Sequence, residues 1–280
     1  MRMIPWWTRI GIIVLCGVMA WMLTGCSGDA PSDDADDDEL MSDKNEPVDV
    51  LYNKALTSFE TGDYKQAIEQ FEEVERQHPY SEWAKKSQVM AAYAAYRGQE
   101  YDEAAVILER FVKLHPNNEH TPYAYYLRAL CYYDQISDVG RDQKMTRDAR
   151  QALREVVSRF PNTDYARDAK IKLDLTEDHL AGKEMQVGRY YLQRQEWLAA
   201  INRFTYVLDN HQTTSHVPEA LHRLVEAYLQ LGVKDEATKY ASVLGHNYPG
   251  SEWYQYSYQM LHGEVNPENK NTGGGWLNPF

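Results

Sequence analysis

Residues 63–71 read Asp-Tyr-Lys-Gln-Ala-Ile-Glu-Gln-Phe, and Pro79 follows eight positions later. Ala67 in this stretch anchors a pattern that returns along the chain. Pro79 lies 12 residues beyond Ala67; Ala104 has Pro116 at the same distance, Ala149 has Pro161, Ala237 has Pro249, and Ala200 has Gln212. Four residues after the anchors stand Phe71, Leu108, Leu153, Phe204 and Ala241, and seven after them Val74, Phe111, Val156, Val207 and Leu244. Apolar residues at +4 and +7 make one face of a helix, and the proline, lacking a donor and fixing φ, ends it. Tyr64, Tyr101 and Trp197 precede their anchors by three residues. Twelve before the anchors are Ala55, Ala92 and Gly188, small residues where two helices would touch.

This order of small residue, tyrosine, alanine, large apolar residue and proline resembles the tetratricopeptide repeat, a pair of antiparallel helices. The resemblance implies an all-α superhelix of five helix pairs, about ten helices, over roughly residues 50–260. A stack of such units buries a continuous core that no unit could bury alone.

The register breaks twice. Ala149 follows Ala129 by 20 residues instead of 12, so eight residues are inserted near 137–144, read as an exposed loop. Between Pro161 and Gly188 the gap is 27 instead of 13, and the extra residues keep a helical apolar pattern in Ala166, Ala169, Leu173 and Leu180. The reading is a long helix that displaces the last two units by about 21 Å. It divides the repeats into two lobes, 50–182 (units one to three with the bridging helix) and 183–262 (units four and five).

The first 25 residues do not read as fold. Arg2 and Arg9 flank a short amino-terminal region, followed by an apolar run over residues 10–22. That run is shorter than the ~20 residues a bilayer needs, and the pattern is that of a secretory signal peptide. Residues 23–26, Leu-Thr-Gly-Cys, resemble the lipobox of bacterial lipoproteins. The resemblance implies cleavage between Gly25 and Cys26, then S-diacylglycerol and N-acyl chains on Cys26; no other cofactor is expected. Several acyl chains hold a membrane far more firmly than one, because each buried CH₂ contributes about 0.8 kcal/mol. Ser27 in place of aspartate permits sorting to the outer membrane, so the expected location is its periplasmic face.

Residues 26–49 read as the lipidated cysteine and an acidic tether. From 27 to 49 there are ten Asp or Glu and one Lys, almost without apolar content. Such a segment cannot bury enough surface to offset chain entropy and is expected to be disordered. Much of the net charge of −13 therefore sits outside the repeats. An acidic chain of this kind is a poor binder of nucleic acid. Residues 263–280 form a Gly-rich tail ending in Phe280.

The repeat register also says which side chains line the concave face. At −3, +1 and +4 around the small residue of each first helix stand Tyr52, Leu56 and Phe59 in unit one, and Val89, Tyr93 and Tyr96 in unit two, with Arg97 adjacent. In unit three they are Tyr126, Leu130 and Tyr133, with Tyr123 one turn earlier. Tyrosine offers a broad apolar face and a hydroxyl, which suits recognition of extended peptides. The alternative for any one of them is packing between helices.

Motifs of catalysis are missing from the sequence. It holds no Gly-x-Ser-x-Gly, phosphate loop or His-Glu-x-x-His. His78 and His115 precede the repeat prolines, a placement that follows the repeat, and Cys131 stands in the apolar run Tyr-Tyr-Leu-Arg-Ala-Leu-Cys-Tyr-Tyr as a buried thiol. Neither an enzyme nor a metal site is expected.

A lipobox, a polar tether and five such repeats resemble the BamD (ComL/YfiO) family, lipoproteins of the outer-membrane β-barrel assembly machine. Residues 197–203, Trp-Leu-Ala-Ala-Ile-Asn-Arg, resemble that family's W-x-A-x-x-N-R stretch. The resemblance implies a non-enzymatic scaffold. Its carboxy-terminal lobe would dock on a POTRA domain of the barrel subunit BamA through Trp197, Asn202 and Arg203. Its amino-terminal lobe would receive the aromatic β-signal of unfolded outer-membrane proteins, with other Bam lipoproteins in the same complex. Other repeat lipoproteins, secretin pilotins or hubs of cell-wall synthesis, keep the architecture and change the partner.

Overall fold

The computed structural model describes residues 46–263. Gly25, Cys26, the acidic tether up to residue 45 and the tail from 264 onward lie outside the described residues. Within them the chain is helical, and no helix is long and apolar enough to cross a membrane.

The five expected pairs are α1 (Val48–Glu60) with α2 (Tyr64–Gln77), α3 (Glu82–Arg97) with α4 (Tyr101–Leu114), α5 (Thr121–Tyr133) with α6 (Lys144–Arg159), α7 (Asp164–Gln193) with α8 (Trp197–Asn210), and α9 (Val217–Gln230) with α10 (Lys234–Asn247). One further helix among the described residues, α11 (Glu252–His262), follows the five pairs. It closes the stack: Trp253 and Tyr254 cover Val217, Leu221 and Leu244, while Leu261 packs beside Val225, Ala237 and Ala241. A solenoid needs such a cap because its last pair would otherwise leave an apolar face in water.

Four of the five pairs turn in the same way. The residue two before the second helix sits in the left-handed region, as Gly62 (φ 83°), Gln99 (φ 65°), Gln195 (φ 61°) and Gly232 (φ 77°). The next N–H reaches back into the first helix: Asp63 to the Ser58 carbonyl, Glu100 to Ala95, Glu196 to Tyr191 and Val233 to Tyr228, each at 2.9 Å. These bonds satisfy carbonyls that a helix end leaves open. Between pairs, the residue before each repeat proline ends its helix with φ near −130°, as at His78, His115, Phe160 and Tyr248; His211 adopts the same geometry before Gln212. Ser81 and Thr163 then cap α3 and α7 with their hydroxyls.

The anchors Ala67, Ala104, Ala149, Ala200 and Ala237 are fully buried, as are Phe71, Leu108, Phe111, Leu153 and Phe204. Gly188 is where α7 and α8 cross: a β-carbon there would meet the Phe204 ring at 2.4 Å. The long helix is α7, of 30 residues, about 45 Å at 1.5 Å per residue. Its first half packs on unit three through Ala169 and Leu173, and its second half is the first helix of unit four through Ala181, Met185 and Leu192.

Of the inserted residues, 138, 140–142 and 144 are exposed, and the loop is ordered from within by a buried side chain. Residues 134–143 close around Gln143, which is 4% exposed. Its Nε2 donates to the carbonyls of Asp138, Val139 and Arg141 at 3.2, 3.3 and 3.1 Å, and Thr146 Oγ1 donates to its Oε1 at 2.9 Å. One buried amide thus gathers three carbonyls of the loop, beside the turn bonds from Ile136 N–H to the Tyr133 carbonyl and from Arg141 N–H to the Asp138 carbonyl. Lys183 Nζ, on α7, ties the loop down through the Gly140 carbonyl at 3.1 Å.

Candidate functional site

The first helices of units one to three bring most of the expected aromatics together. Phe59 lies 5.4 Å from Tyr93, ring centre to ring centre, and Tyr93 stacks on Tyr96 at 6.4 Å. Arg97 is exposed; its guanidinium sits 6.0 Å from the rings of Tyr64 and Tyr93, and its Nη1 donates to the Tyr93 hydroxyl at 3.3 Å. Further along, Tyr123 and Tyr126 each lie 5.5 Å from Tyr165, and Lys172 stands over Tyr133 at 5.7 Å.

Tyr52 does not belong to this surface. It is 4% exposed and wedged between Phe71 (5.5 Å) and Trp83 (4.8 Å). Its place three residues before Ala55 faces the neighbouring helices, as does Val89, which holds the same position before Ala92 and is also buried. Tyr165 is the residue that the repeat register missed. It lies at the start of α7, in the added helical length, where no repeat position was assigned.

Two of the hydroxyls are committed. Tyr96 donates to Asp134 and Tyr126 donates to Asp168. Burial first, and then these carboxylates, push both phenols well above their ordinary pKa. Tyr123, desolvated by burial, is pushed up to about 12. Asp168 is held below its usual range by hydrogen bonds from Lys172 and then Tyr126. Tyr96, Tyr123 and Tyr126 are therefore neutral phenols at physiological pH, and the carboxylates fix the orientation of two rings. The result is a run of aromatic faces edged by Arg97 and Lys172, suited to apolar and aromatic side chains of an extended peptide.

The second expected surface is on α8. Asn202 and Arg203 are exposed and line a recess of about 240 Å³ with Tyr191, Ala199 and Tyr206. Arg203 Nη1 donates to Glu184 Oε2 on α7 at 3.0 Å. A half-exposed guanidinium held by one carboxylate keeps donors for another. Trp197 is not part of this recess: it is partly buried and packs on the Met185, Ile201 and Phe204 cluster. Its position three residues before Ala200 is the packing position that Tyr64 and Tyr101 hold in earlier units.

Cys131 is fully buried, and burial first raises its thiol pKa to about 12, which disfavours the thiolate. Among the described residues no group of three His, Cys, Asp or Glu side chains is placed to hold a metal ion.

A family model described as "YfiO: Outer membrane lipoprotein" matches residues 44–244. The outer membrane protein assembly factor BamD of Caulobacter vibrioides is 46% identical over 253 residues, which cover 90% of this chain and 81% of the relative. BamD of Rickettsia prowazekii is 49% identical over 215 residues, covering 77% of this chain and 86% of the relative. The TPR2AB domain of yeast Sti1, solved in complex with pHSP90, superposes with a TM-score of 0.40 at 14% identity, over 77% of this chain and 83% of that domain. The matched region runs from just before α1 into α10 and takes in every repeat anchor; the chain belongs to the YfiO family of outer membrane lipoproteins.

Proposed function

We propose that this chain is a non-enzymatic scaffold lipoprotein of the outer-membrane β-barrel assembly complex. The observation that carries the reading is identity of 46% and 49% to BamD assembly factors over most of the chain. In this reading Cys26 carries the lipid that holds the chain on the periplasmic face of the outer membrane. The surface around Asn202 and Arg203 receives a POTRA domain of BamA, and other Bam lipoproteins join the same complex. The aromatic run from Phe59 to Tyr165 receives the β-signal of unfolded outer-membrane proteins.

The geometry supports a division of labour. Aromatic faces with fixed hydroxyls favour transient, sequence-tolerant contacts, because stacking needs few directional bonds. An exposed guanidinium beside a polar amide favours a defined, orientation-dependent contact. Capture from mild-detergent extracts of outer membranes, with a carboxy-terminal tag on the chain, tests the reading. Recovery of a POTRA-bearing barrel protein supports it; recovery of a secretin or of cell-wall synthases in its place replaces it.

A further inference from the structure

A second, larger cavity of about 540 Å³ opens where the 134–143 loop meets α6, α7 and α8. Five cationic side chains line it: Arg141 from the loop, Arg147 and Arg150 from α6, Lys183 from α7 and Arg203 from α8. Two carboxylates share the lining, Asp142 and Glu184. Positive charge is thus gathered at one place in a chain whose formal charge is −13.

The internal carboxylates do not balance it. Glu184 is engaged by Arg203, and Asp142 lies 3.8 Å from Arg147 on the exposed rim. Glu177, behind the wall, is shared among Arg150 at 3.5 Å, Arg154, and His211 at 2.9 Å. Among the described residues Arg141 and Lys183 pair with no carboxylate. Arg141 and Lys183 thus add positive charge to a recess whose nearby carboxylates are already engaged by Arg147, Arg150 and Arg203, and an incoming anion would supply the missing counter-charge.

The cavity is also preformed. Gln143 orders the loop that carries Arg141, and the Lys183–Gly140 bond fixes the loop to α7. A site ordered before binding loses less entropy on binding. The remaining walls mix the apolar Leu180, Val187 and Tyr206 ring with the polar Gln143 and His211. Arg203 and Tyr206 line both this cavity and the recess at Asn202, so the two form one continuous surface.

We propose that this cavity seats an acidic segment of the protein partner that docks at Arg203, with two or more carboxylates entering between the loop and α8. This rests on the docking reading given above and extends the contact from α8 onto α6 and the loop of unit three. A peptide fits better than a lipid headgroup: the cations are spread around a recess that also offers apolar side chains, Leu180 and Val187, and guanidiniums pair with carboxylates in planar forks.

The test is titration of the full-length protein with the purified periplasmic POTRA domains of BamA, at low and at physiological salt. Arg141→Glu and Lys183→Gln are compared with wild type and with Arg203→Glu, each checked for an unchanged thermal midpoint. Arg141 is exposed and Lys183 makes one bond to a carbonyl, so neither change empties a core. The expected result is a loss of about tenfold in affinity for each variant and a weaker salt dependence when both are combined. If Arg203→Glu weakens binding while both cavity variants match wild type at every salt concentration, the cavity inference is overturned and the docking reading stands. If Arg203→Glu also binds as wild type, the docking reading falls and takes this inference with it. Cavity variants that lose binding only to phosphatidylglycerol vesicles, and keep POTRA affinity, reassign the cavity to a headgroup and overturn the proposal.

Discussion

Gly188 on α7 lies directly under the ring of Phe204 on α8, so closely that a β-carbon on Gly188 would stand 2.4 Å from Phe204 Cε1 and 2.7 Å from Cζ. Phe204 is fully buried and has no room to retreat. Alanine would gain about 1 kcal/mol of helix propensity over glycine, but overpacking costs about 1–3 kcal/mol. Gly188→Ala is expected to lower stability despite the better helix former, read as a lower denaturant midpoint with an unchanged slope. A stabilised variant would show that α7 and α8 do not cross here.

Gly62 makes the opposite case. A β-carbon there meets nothing within 4 Å, yet φ is +83°. Gly62→Ala is expected to cost about 1 kcal/mol through backbone strain alone. The two non-glycine occupants of the same turn position, Gln99 and Gln195, carry that strain already. Gln99→Gly should relieve about 1 kcal/mol in the folded state, offset in part by the added freedom of glycine in the unfolded chain. A thermal-melt comparison of the two variants checks both signs.

His222 sets a pH dependence at the carboxy-terminal end of the stack. Its Nδ1 lies 2.9 Å from Ser257 Oγ and its ring lies 5.2 Å from Trp253. Burial first, and then Arg223, lower its pKa from 6.5 to about 3. The folded state therefore holds the imidazole neutral, while the unfolded chain protonates below about 6.5. The stability from this group is fully present above pH 6.5 and is lost as pH falls toward 3, at up to about 1.4 kcal/mol per pH unit. Denaturant midpoints of wild type and His222→Asn at pH 7.5 and 5.0 isolate the effect. The variant should lose less between the two pH values than wild type does.

The aromatic run and the core tyrosine separate by readout. Tyr165→Ala is expected to weaken affinity for a peptide carrying an aromatic β-signal by about 1–2 kcal/mol, with little change in stability. Tyr52→Ala, which empties a site between Phe71 and Trp83, is expected to cost about 3 kcal/mol of stability in the manner of other buried aromatics. Isothermal titration and chemical denaturation distinguish them. Equal peptide affinity of wild type and Tyr165→Ala would remove Tyr165 from the binding surface.

The repeats were legible because each unit must bury the same small anchor, and burial at a fixed spacing leaves a sequence trace. Ala67, Ala104, Ala149, Ala200 and Ala237 lie at zero exposure for that reason. The long helix was legible because its apolar period continued through the added residues. Three features left no periodic trace. The Gln143-centred loop depends on one amide satisfying three carbonyls, which no spacing rule encodes. Helix α11 is an aromatic-rich cap of 11 residues outside the repeat grammar. Tyr165 joins Tyr123 and Tyr126 only because α7 begins 14 residues earlier than a repeat helix would. Trp197 and Tyr52 were read as surface residues because their repeat positions alone do not say whether a neighbouring helix covers them.

The most direct test of the docking account is the affinity of the intact protein for the periplasmic domains of BamA, measured for wild type and Arg203→Glu. Arg203 is exposed and its ion pair with Glu184 is a surface pair, worth at most about 1 kcal/mol to the fold. The account predicts that the variant folds normally and binds at least about tenfold more weakly, since a reversed charge meets the partner's carboxylates. A folded Arg203→Glu variant with wild-type affinity would contradict it.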